Sequence, residues 1–337
     1  MNTVVFDADV LGRRRTGDET YALNLLRELA LLAPTAELRI VAVTRHPELV
    51  PEGIEPHALP ARSQELRMAF SLPRALRRLG ADLAHTQHAL PLRSPCPCVV
   101  TVHDVSFARE PRLMSVRDRL VFRRVVPRAV RRAARVLTVS ERTKADLVEL
   151  YGVPAERVVV TPNGVDPVFS PGPGAHDYVL SVGAIQARKN QLAALEAASE
   201  ASLPLVVVGP EKDAAVAEEL RRRGARLEGY VDVARLAELY RGAACLVQSS
   251  RFEGFGLPVL EAMASGTPVV TVPDPALLEV AGEAAVVAED SRLADGIRTA
   301  LAERERLAAA GLERARMFTW RATAERTLAV YREILGA

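Results

Sequence analysis

Cysteine is scarce, with Cys96, Cys98 and Cys245 the only three in 337 residues. An odd number in so long a chain excludes a disulfide framework. The spacing Cys96-Pro97-Cys98 is too tight for the usual Cys-x-x-Cys metal or redox pair and reads as small apolar residues entering a strand. Long apolar runs are missing too, and no stretch approaches the ~20 residues that span a bilayer. The apolar start from Val4 to Val10 is interrupted by Asp7 and Asp9, which suits a strand and not a secretory leader. The expected location is cytoplasmic, with peripheral attachment to the inner face of the membrane as the form of membrane association to test. Aromatic residues make up 4% of the chain, and lysine is nearly absent, at Lys144, Lys189 and Lys212 alone. No Gly-x-Gly-x-x-Gly follows a strand and opens a helix, which excludes a dinucleotide dehydrogenase.

What is present in quantity is arginine, unevenly spread. Residues 1–170 hold 25 Lys and Arg against 19 Asp and Glu, while residues 171–337 hold 19 against 23. The excess is concentrated in Arg112–Arg135, where nine arginines face one acid, Asp118. Such a run is either a solvated face or a patch for an anionic membrane surface or a phosphorylated acceptor. Nucleic acid is not expected, because Phe122 is the only aromatic residue among these arginines, with Phe107 just before them.

Length and apolar content support two cores, since single cores stop growing at roughly 250–300 residues. Short β-rich runs alternate with helical patterns, predicting an α/β protein with parallel sheets covered on both faces. The first half predicts strands at Thr3–Asp9, Glu37–Val43, Asp82–His85, Cys98–His103, Arg135–Val139 and Val158–Thr161, and helices that include Glu19–Ala33 and Gln64–Leu79. Four prolines and three glycines within residues 161–174 mark a linker. The alternation then restarts, with strands at Tyr178–Val182, Leu205–Val208, Arg226–Glu228, Cys245–Gln248, Pro268–Val272 and Ala285–Val287. The expected domains are therefore 1–168 and 169–318, each doubly wound. A last helix in 319–337, apolar at Ala324, Leu328, Tyr331 and Leu335, belongs to neither series and is placed to brace the first domain.

Ligands of open α/β sheets bind beyond the carboxyl ends of strands. After the strand ending at Val182, Gly183 leads to Arg188 and Lys189 at a predicted helix start. Two cations beside exposed backbone N–H groups suit a diphosphate, and they oppose the helix dipole unless an anion is there. After the strand ending at Gln248 comes Glu253-Gly254-Phe255-Gly256-Leu257-Pro258, then a short helix capped at Gly266. Gly254 and Gly256 allow close backbone approach, and Pro258 suits a first helical turn. Glu253 on the loop and Glu261 one turn into the helix are placed to accept hydrogen bonds from sugar or ribose hydroxyls. The bare spacing of two glutamates is uninformative; the string in its strand–loop–helix setting is not.

With these motifs the chain resembles the retaining glycosyltransferases of family 4. The likeness runs nearly end to end, through Thr16-Gly17-Asp18-Glu19-Thr20-Tyr21, Val102-His103-Asp104, Thr138-Val139-Ser140, Pro162-Asn163-Gly164-Val165-Asp166, Val182-Gly183, Arg188-Lys189-Asn190, Glu253 to Glu261, and Leu278-Glu279-Val280-Ala281-Gly282. The resemblance implies the GT-B fold, two Rossmann-like domains facing each other across a cleft, with the acceptor side first and the nucleotide-sugar donor side second. It implies transfer of a hexose such as mannose or glucose from a GDP- or UDP-sugar to a saccharide, lipid-linked or small-molecule acceptor. The nucleotide-sugar is a co-substrate; no cofactor and no metal are implied. The catalytic set it implies is Arg188, Lys189, Glu253 and His103. Arg188 and Lys189 neutralise the leaving diphosphate, Glu253 faces the donor sugar, and His103 lies near the reacting carbon with Asp104 beside it. Donor contacts fall to Gly17, Gly183, Gly254, the backbone of Phe255, Gly256 and Leu257, and Glu261 at the ribose. Two departures bear on sugar identity: Pro273-Asp274-Pro275 replaces small polar residues, and Glu19, preceded by Arg13, Arg14 and Arg15, replaces a second glycine.

Rival readings remain open at this point. Asp7-Ala8-Asp9 resembles a metal-binding Asp-x-Asp, but its place in the first strand predicts a structural role. His85 and His88 suggest a metal pair, but no further ligands are expected to cluster nearby and Zn²⁺ wants three or four; they are expected to line an acceptor cleft or cap a strand. A nucleotide-sugar 2-epimerase shares the two-domain fold. A non-catalytic partner subunit is expected to lack the basic pair or the glutamates, and all four are present.

Overall fold

The computed structural model describes residues 1–13, 16–61, 63–113 and 116–336, without the side chains of residues 16, 113 and 116–119. Arg14 and Arg15 of the first loop, and Met114 and Ser115 of the arginine-rich segment, lie outside the described residues. The chain divides into two compact units, residues 1–164 with 320–337, and residues 165–319.

The first unit is a seven-stranded parallel sheet of β1 (Asn2–Asp7), β2 (Leu38–Thr44), β3 (Glu55–Ala58), β4 (Leu83–Gln87), β5 (Cys98–Val102), β6 (Arg135–Thr138) and β7 (Val158–Val160), in the order β3-β2-β1-β4-β5-β6-β7. The inner strands are nearly continuous apolar runs, buried along most of their length, as a parallel sheet covered on both faces requires. The order reverses between β1 and β4, so the segments after those two strands flank a topological switch point, where such sheets bind ligands. The helix Thr16–Leu32 follows β1, and the last helix, Trp320–Leu335, packs against it. That last helix is tied down at Thr323, whose hydroxyl donates to the Pro162 carbonyl at 2.5 Å, and by an ion pair of Glu333 with Arg135.

Three elements differ from expectation. β3 was not foreseen, because Pro56 removes a ladder donor; it survives as an edge strand on β2, fixed by the Arg39 fork on Glu55 at 2.8 and 2.7 Å. The helix expected at Gln64–Leu79 is interrupted by a π turn, Arg67–Ser71, between α-helical Gln64–Leu66 and Leu72–Arg78. β1 ends at Asp7, so Asp9 lies beyond the strand. The π turn carries Arg67, wholly buried, whose guanidinium holds both Asp7 oxygens at 2.7 and 2.6 Å. Asp9 in turn receives a fork from Arg45 at 2.9 and 2.8 Å and pairs with Arg13.

The second unit is a six-stranded parallel sheet of β8 (Val179–Val182), β9 (Leu205–Val208), β10 (Arg226–Gly229), β11 (Cys245–Gln248), β12 (Val269–Thr271) and β13 (Val286–Val287), ordered β10-β9-β8-β11-β12-β13. Its switch point lies between β8 and β11, the two strands followed by the Arg188-Lys189 turn and the Glu253 loop. Among the described residues no helix is long and apolar enough to cross a membrane.

Candidate active site

In the second unit, β8 runs into Gly183, whose φ of 144° is open to glycine and strained for other residues. A Cβ there would stand 3.2 Å from Cε of Lys189, so the glycine keeps room for the lysine stem. Arg188 and Lys189 occupy a 3-10 turn, Ala187–Lys189, and Asn190 in the left-handed region (φ 51°) separates them from the helix Gln191–Glu200. The basic pair therefore precedes the helix instead of forming its first turn. Arg188 donates from Nη1 to the Phe252 carbonyl at 2.6 Å, and its own carbonyl accepts the Arg251 N–H at 2.9 Å. The Ser249 hydroxyl donates to the Lys189 carbonyl at 3.1 Å. The segments after β8 and β11 are thus stitched together by one backbone bond, the Ser249 hydroxyl and the Arg188 guanidinium, which holds both basic side chains beside the glutamate.

Lys189 Nζ lies 2.5 Å from Glu253 Oε1, and Arg188 Nη1 lies 3.6 Å from Oε2. Gln248 at the end of β11 donates to the same Oε1 at 2.7 Å, and the Glu253 N–H donates to Asp274 Oδ2 at 3.3 Å. Burial pushes the Glu253 carboxyl up, but Lys189, Arg188 and its hydrogen bonds outweigh burial and hold it below the ordinary glutamate value. Glu253 is ionised at neutral pH with its partners in place. Asp274 Oδ1 also caps the helix Pro275–Ala281, accepting from Ala276 and Leu277 at 2.9 and 3.3 Å. One carboxylate thereby fixes both the helix and the loop that carries Glu253. Gln248 and Asp274 escaped assignment from sequence; the signals were the last residue of a strand and the anomalous Pro273-Asp274-Pro275.

The two loop glycines differ. Gly256, not Gly254, adopts a left-handed φ of 110°, and a Cβ on it would meet Leu277 Cδ2 at 2.7 Å. The requirement for glycine is therefore demonstrable at Gly256. Gly256 caps the helix Leu257–Ala264, with Pro258 in its first turn. Phe255 is buried, its ring edge-on to Phe318 at 6.0 Å between centroids. Glu261, on the buried side of this helix, has its own partners: Oε2 accepts from the Tyr240 hydroxyl at 2.7 Å. Burial raises its carboxyl to about 7, Asp166 adds to the rise, and the Tyr240 bond opposes it. Tyr240, fully buried with its ring edge-on to Phe169, was not singled out from sequence.

In the first unit, Gly17 lies in the first turn of the helix Thr16–Leu32 with open space where a Cβ would be. The Glu19 carboxylate accepts the Gly12 N–H at 2.7 Å, so the residue that replaces a glycine ties down the loop before the helix. Asp18, His88 and His103 each bring one ligand-capable atom to within 4.8 Å of the others. The expectation that nothing clusters with His88 is overturned; the partners are distant in sequence and meet only at the sheet's switch point. His103 Nε2 bonds Gln87 Oε1 at 2.8 Å, and its ring lies edge-on to Tyr21. Burial lowers His103 to about 4, with His88 adding to the fall and Asp18 and Asp104 opposing it, so the imidazole is neutral at physiological pH. Asp104 Oδ1 accepts from both N–H and hydroxyl of Ser106, starting the short helix Ser106–Arg109. His85 points elsewhere than expected. It is wholly buried, with Nδ1 2.5 Å from the Tyr331 hydroxyl and Nε2 2.7 Å from Thr101, joining β4 to the last helix and lining no acceptor site. In the arginine-rich segment, the helix Val116–Arg132 buries Val126, Ala129 and Val130 and exposes Arg123, Arg124, Arg128, Leu120 and Val121.

Comparison with known proteins shows the family and the fold. Residues 15–169 match the family model of Glycosyltransferase Family 4, and residues 169–316 match that of Glycosyl transferases group 1. An O-antigen chain mannosyltransferase B of Escherichia coli is 26% identical over 98% of this chain and 99% of its own. A D-inositol 3-phosphate glycosyltransferase of Geodermatophilus obscurus is 31% identical over 89% of this chain and 77% of its own. Among solved structures, HepE of Anabaena in complex with UDP-glucose aligns with a TM-score of 0.75 at 16% identity, over 99% of this chain and 100% of that one. Two parallel-sheet units, a basic turn after one strand facing a glutamate loop after the next, and these likenesses lead to one conclusion: the chain is a glycosyltransferase with the GT-B fold, belonging to the family 4, group 1 glycosyltransferases.

Proposed function

We propose that the protein transfers a hexose, with retention and without a metal, from a UDP- or GDP-sugar to a saccharide or lipid-linked acceptor. The observation that carries this reading is the Lys189–Glu253–Arg188 cluster at the switch point of the second sheet. Breaking a glycosyl–phosphate bond leaves positive charge on the sugar and negative charge on the diphosphate. Fixed cations aimed at the leaving group stabilise that transition state more than the ground state. In this reading a bound diphosphate draws Arg188 and Lys189, and Glu253, held by Gln248 and Asp274, is left to accept a sugar hydroxyl. Glu261 accepts the ribose hydroxyls, and the backbone N–H groups of Phe255, Gly256 and Leu257 meet donor oxygens. His103 and Asp104, with the Gly17 turn, serve the reacting end. The two cations supply the charge a metal would otherwise bring. In the same reading, and as the resemblance to retaining glycosyltransferases implies, the leaving phosphate helps to take the acceptor proton on the face from which it departs.

A UDP-glucose complex of a structural neighbour supports a nucleotide-sugar donor, and a mannosyltransferase among the relatives supports a hexose. The transferase relatives also favour transfer over 2-epimerisation. The test is a thermal-shift screen with UDP, GDP, ADP and TDP and their common sugars, in EDTA. One nucleotide of the first two raises the melting temperature by several degrees at saturation; no shift with any of them defeats the reading. Net sugar transfer persisting in EDTA checks metal independence. We also read the exposed arginines and the apolar Leu120 and Val121 as a contact for an anionic membrane surface on the cytoplasmic side. Sedimentation with anionic vesicles at low salt, lost at high salt, checks that contact.

A further inference from the structure

Four buried polar side chains of the first unit are joined end to end and take no part in the proposed reaction. The Tyr331 hydroxyl, on the last helix, lies 2.5 Å from His85 Nδ1, and His85 Nε2 lies 2.7 Å from the Thr101 hydroxyl. The Thr101 hydroxyl lies 2.9 Å from that of Tyr21. All four side chains are wholly buried. The network ends at the candidate active site, because the Tyr21 ring packs edge-on against that of His103, 4.7 Å between centroids. Two rungs cross from β4 to the end of β5, His85 to Thr101 and Gln87 to His103 at 2.8 Å. Tyr21 touches both, its hydroxyl on the first rung and its ring on the second. Trp320, which opens the last helix, lies against Tyr21 as well, at 6.4 Å between centroids. Such a network adds little net stability over an apolar layer of the same shape, since each bond replaces one made with water. What it supplies is a fixed geometry. Burial, with His103 adding to the fall, lowers His85 to about 3, so its imidazole is neutral, with one nitrogen donating and the other accepting. The bonds at its two ends therefore run in one direction, and a change at Tyr331 is felt at Thr101 and Tyr21.

We propose that Tyr331, His85, Thr101 and Tyr21 are positioning residues for His103, through which the last helix sets the orientation of the His103 ring. The inference rests on the reading that puts His103 at the reacting end, and adds to it residues that are closed to solvent and act through another side chain. With Gln87 on Nε2 and Tyr21 against the ring, the imidazole is held from two sides. With the network broken, Tyr21 keeps its place by packing alone and the His103 ring turns more freely.

The test uses the full chain with Tyr331→Phe, which removes the far hydroxyl, and Thr101→Val, which removes a middle one at nearly the same shape. Thr101→Ser, which keeps that hydroxyl, is the conservative partner. With the preferred donor and acceptor, Tyr331→Phe and Thr101→Val each lower kcat about fivefold with both KM values within about twofold, and Thr101→Ser recovers most of the loss. The double variant is no slower than Thr101→Val alone, because the two positions act as one unit. By NMR, the Hε1 resonance of the His103 ring, assigned by its loss in His103→Ala, moves in Tyr331→Phe and Thr101→Val and stays in place in Thr101→Ser. Leu328→Ala, on the same helix but outside the network, lowers the urea midpoint and leaves kcat and that resonance in place. An unmoved resonance in Tyr331→Phe overturns the proposal, as does an equal shift in Leu328→Ala, which assigns the effect to packing. Where His103→Ala is slow, a kcat within about twofold of the unaltered protein's in both Tyr331→Phe and Thr101→Val overturns it too. If the unaltered protein transfers no sugar, or His103→Ala keeps full kcat, the reading of His103 at the reacting end fails by itself. The resonance then decides alone whether the last helix positions the ring.

Discussion

Each unit has a carboxylate–cation cluster at the carboxyl end of a central strand, and the two differ in how firmly the cation is held. After β1, Arg67 is wholly buried and forks onto Asp7 through two bonds, while Asp9 is shared by Arg45 and Arg13. After β8 and β11, Lys189 reaches Glu253 through one bond, Arg188 stands 3.6 Å off, and both cations keep 12–15% of their side-chain surface exposed. A two-bond fork on a planar, wholly buried guanidinium fixes geometry and lies out of a ligand's reach. In the proposed reaction the partly exposed Lys189 ammonium, on a flexible stem, exchanges its carboxylate for a phosphate oxygen. In that reading the same chemistry is scaffold in one place and exchangeable partner in the other. That difference separates a structural Asp-x-Asp from a candidate active site.

The comparison is most easily broken at Arg67. Arg67→Ala leaves Asp7 buried without its partner and is expected to cost about 3–5 kcal/mol in stability. Urea unfolding checks this, and a midpoint close to that of the unaltered protein would show the cluster to be dispensable. Lys189→Ala, in contrast, is expected to lower kcat by about 10²–10³-fold, the scale for losing one preorganised group at the developing charge, with the unfolding midpoint little changed. Full turnover without Lys189 would remove its assigned role.

Glu261 sharpens the comparison with Glu253 on the same loop and helix. Its folded value of about 7 lies above that of an unfolded glutamate, so the folded state holds a proton the unfolded state releases. The stability this contributes is fully present below the unfolded value, near pH 4.5, and is lost as pH rises through about 7. Glu261→Gln should flatten that decline by ~2 kcal/mol between pH 5 and 7.5, as urea titrations at several pH values would reveal. An unaltered slope would mean that another group titrates. Because an ionised carboxylate accepts ribose hydroxyls better than a protonated one, donor KM should fall from pH 6 to pH 8. The smallest effect is expected from Tyr240→Phe, which removes the bond opposing the rise in Glu261. It should move the donor KM profile to higher pH by half a unit or more, with kcat at pH 8.5 nearly unchanged. A profile that does not move assigns Tyr240 to packing alone.

Much of this was legible before the structure. Among the described residues, twelve of the thirteen strands follow from apolar runs bounded by turn residues, because in a parallel sheet buried on both faces each strand announces itself without its neighbours. The exception, β3, depends on an edge partner and the Arg39–Glu55 fork, neither of which local composition records. Arg188, Lys189, Glu253 and Glu261 were legible as well, since strand ends, glycines and a proline-started helix are local signals.

The partnerships were not. That Lys189 meets Glu253, that Asp274 anchors the Glu253 loop, and that Glu261 sits beside Tyr240 are matters of strand order, which brings together segments 21 to 64 residues apart. His85 and His88 look alike in sequence. Strand direction alone sends the first inward to Tyr331 and leaves the second, one residue past β4, beside Asp18 and His103. The sequence by itself determined the two parallel-sheet units, the linker and the residue types available at each strand end, because periodicity and turn chemistry are local. Only the tertiary structure decided which of those charges are wholly buried in the scaffold and which stay partly exposed, because burial and pairing depend on neighbours that the chain supplies from far away.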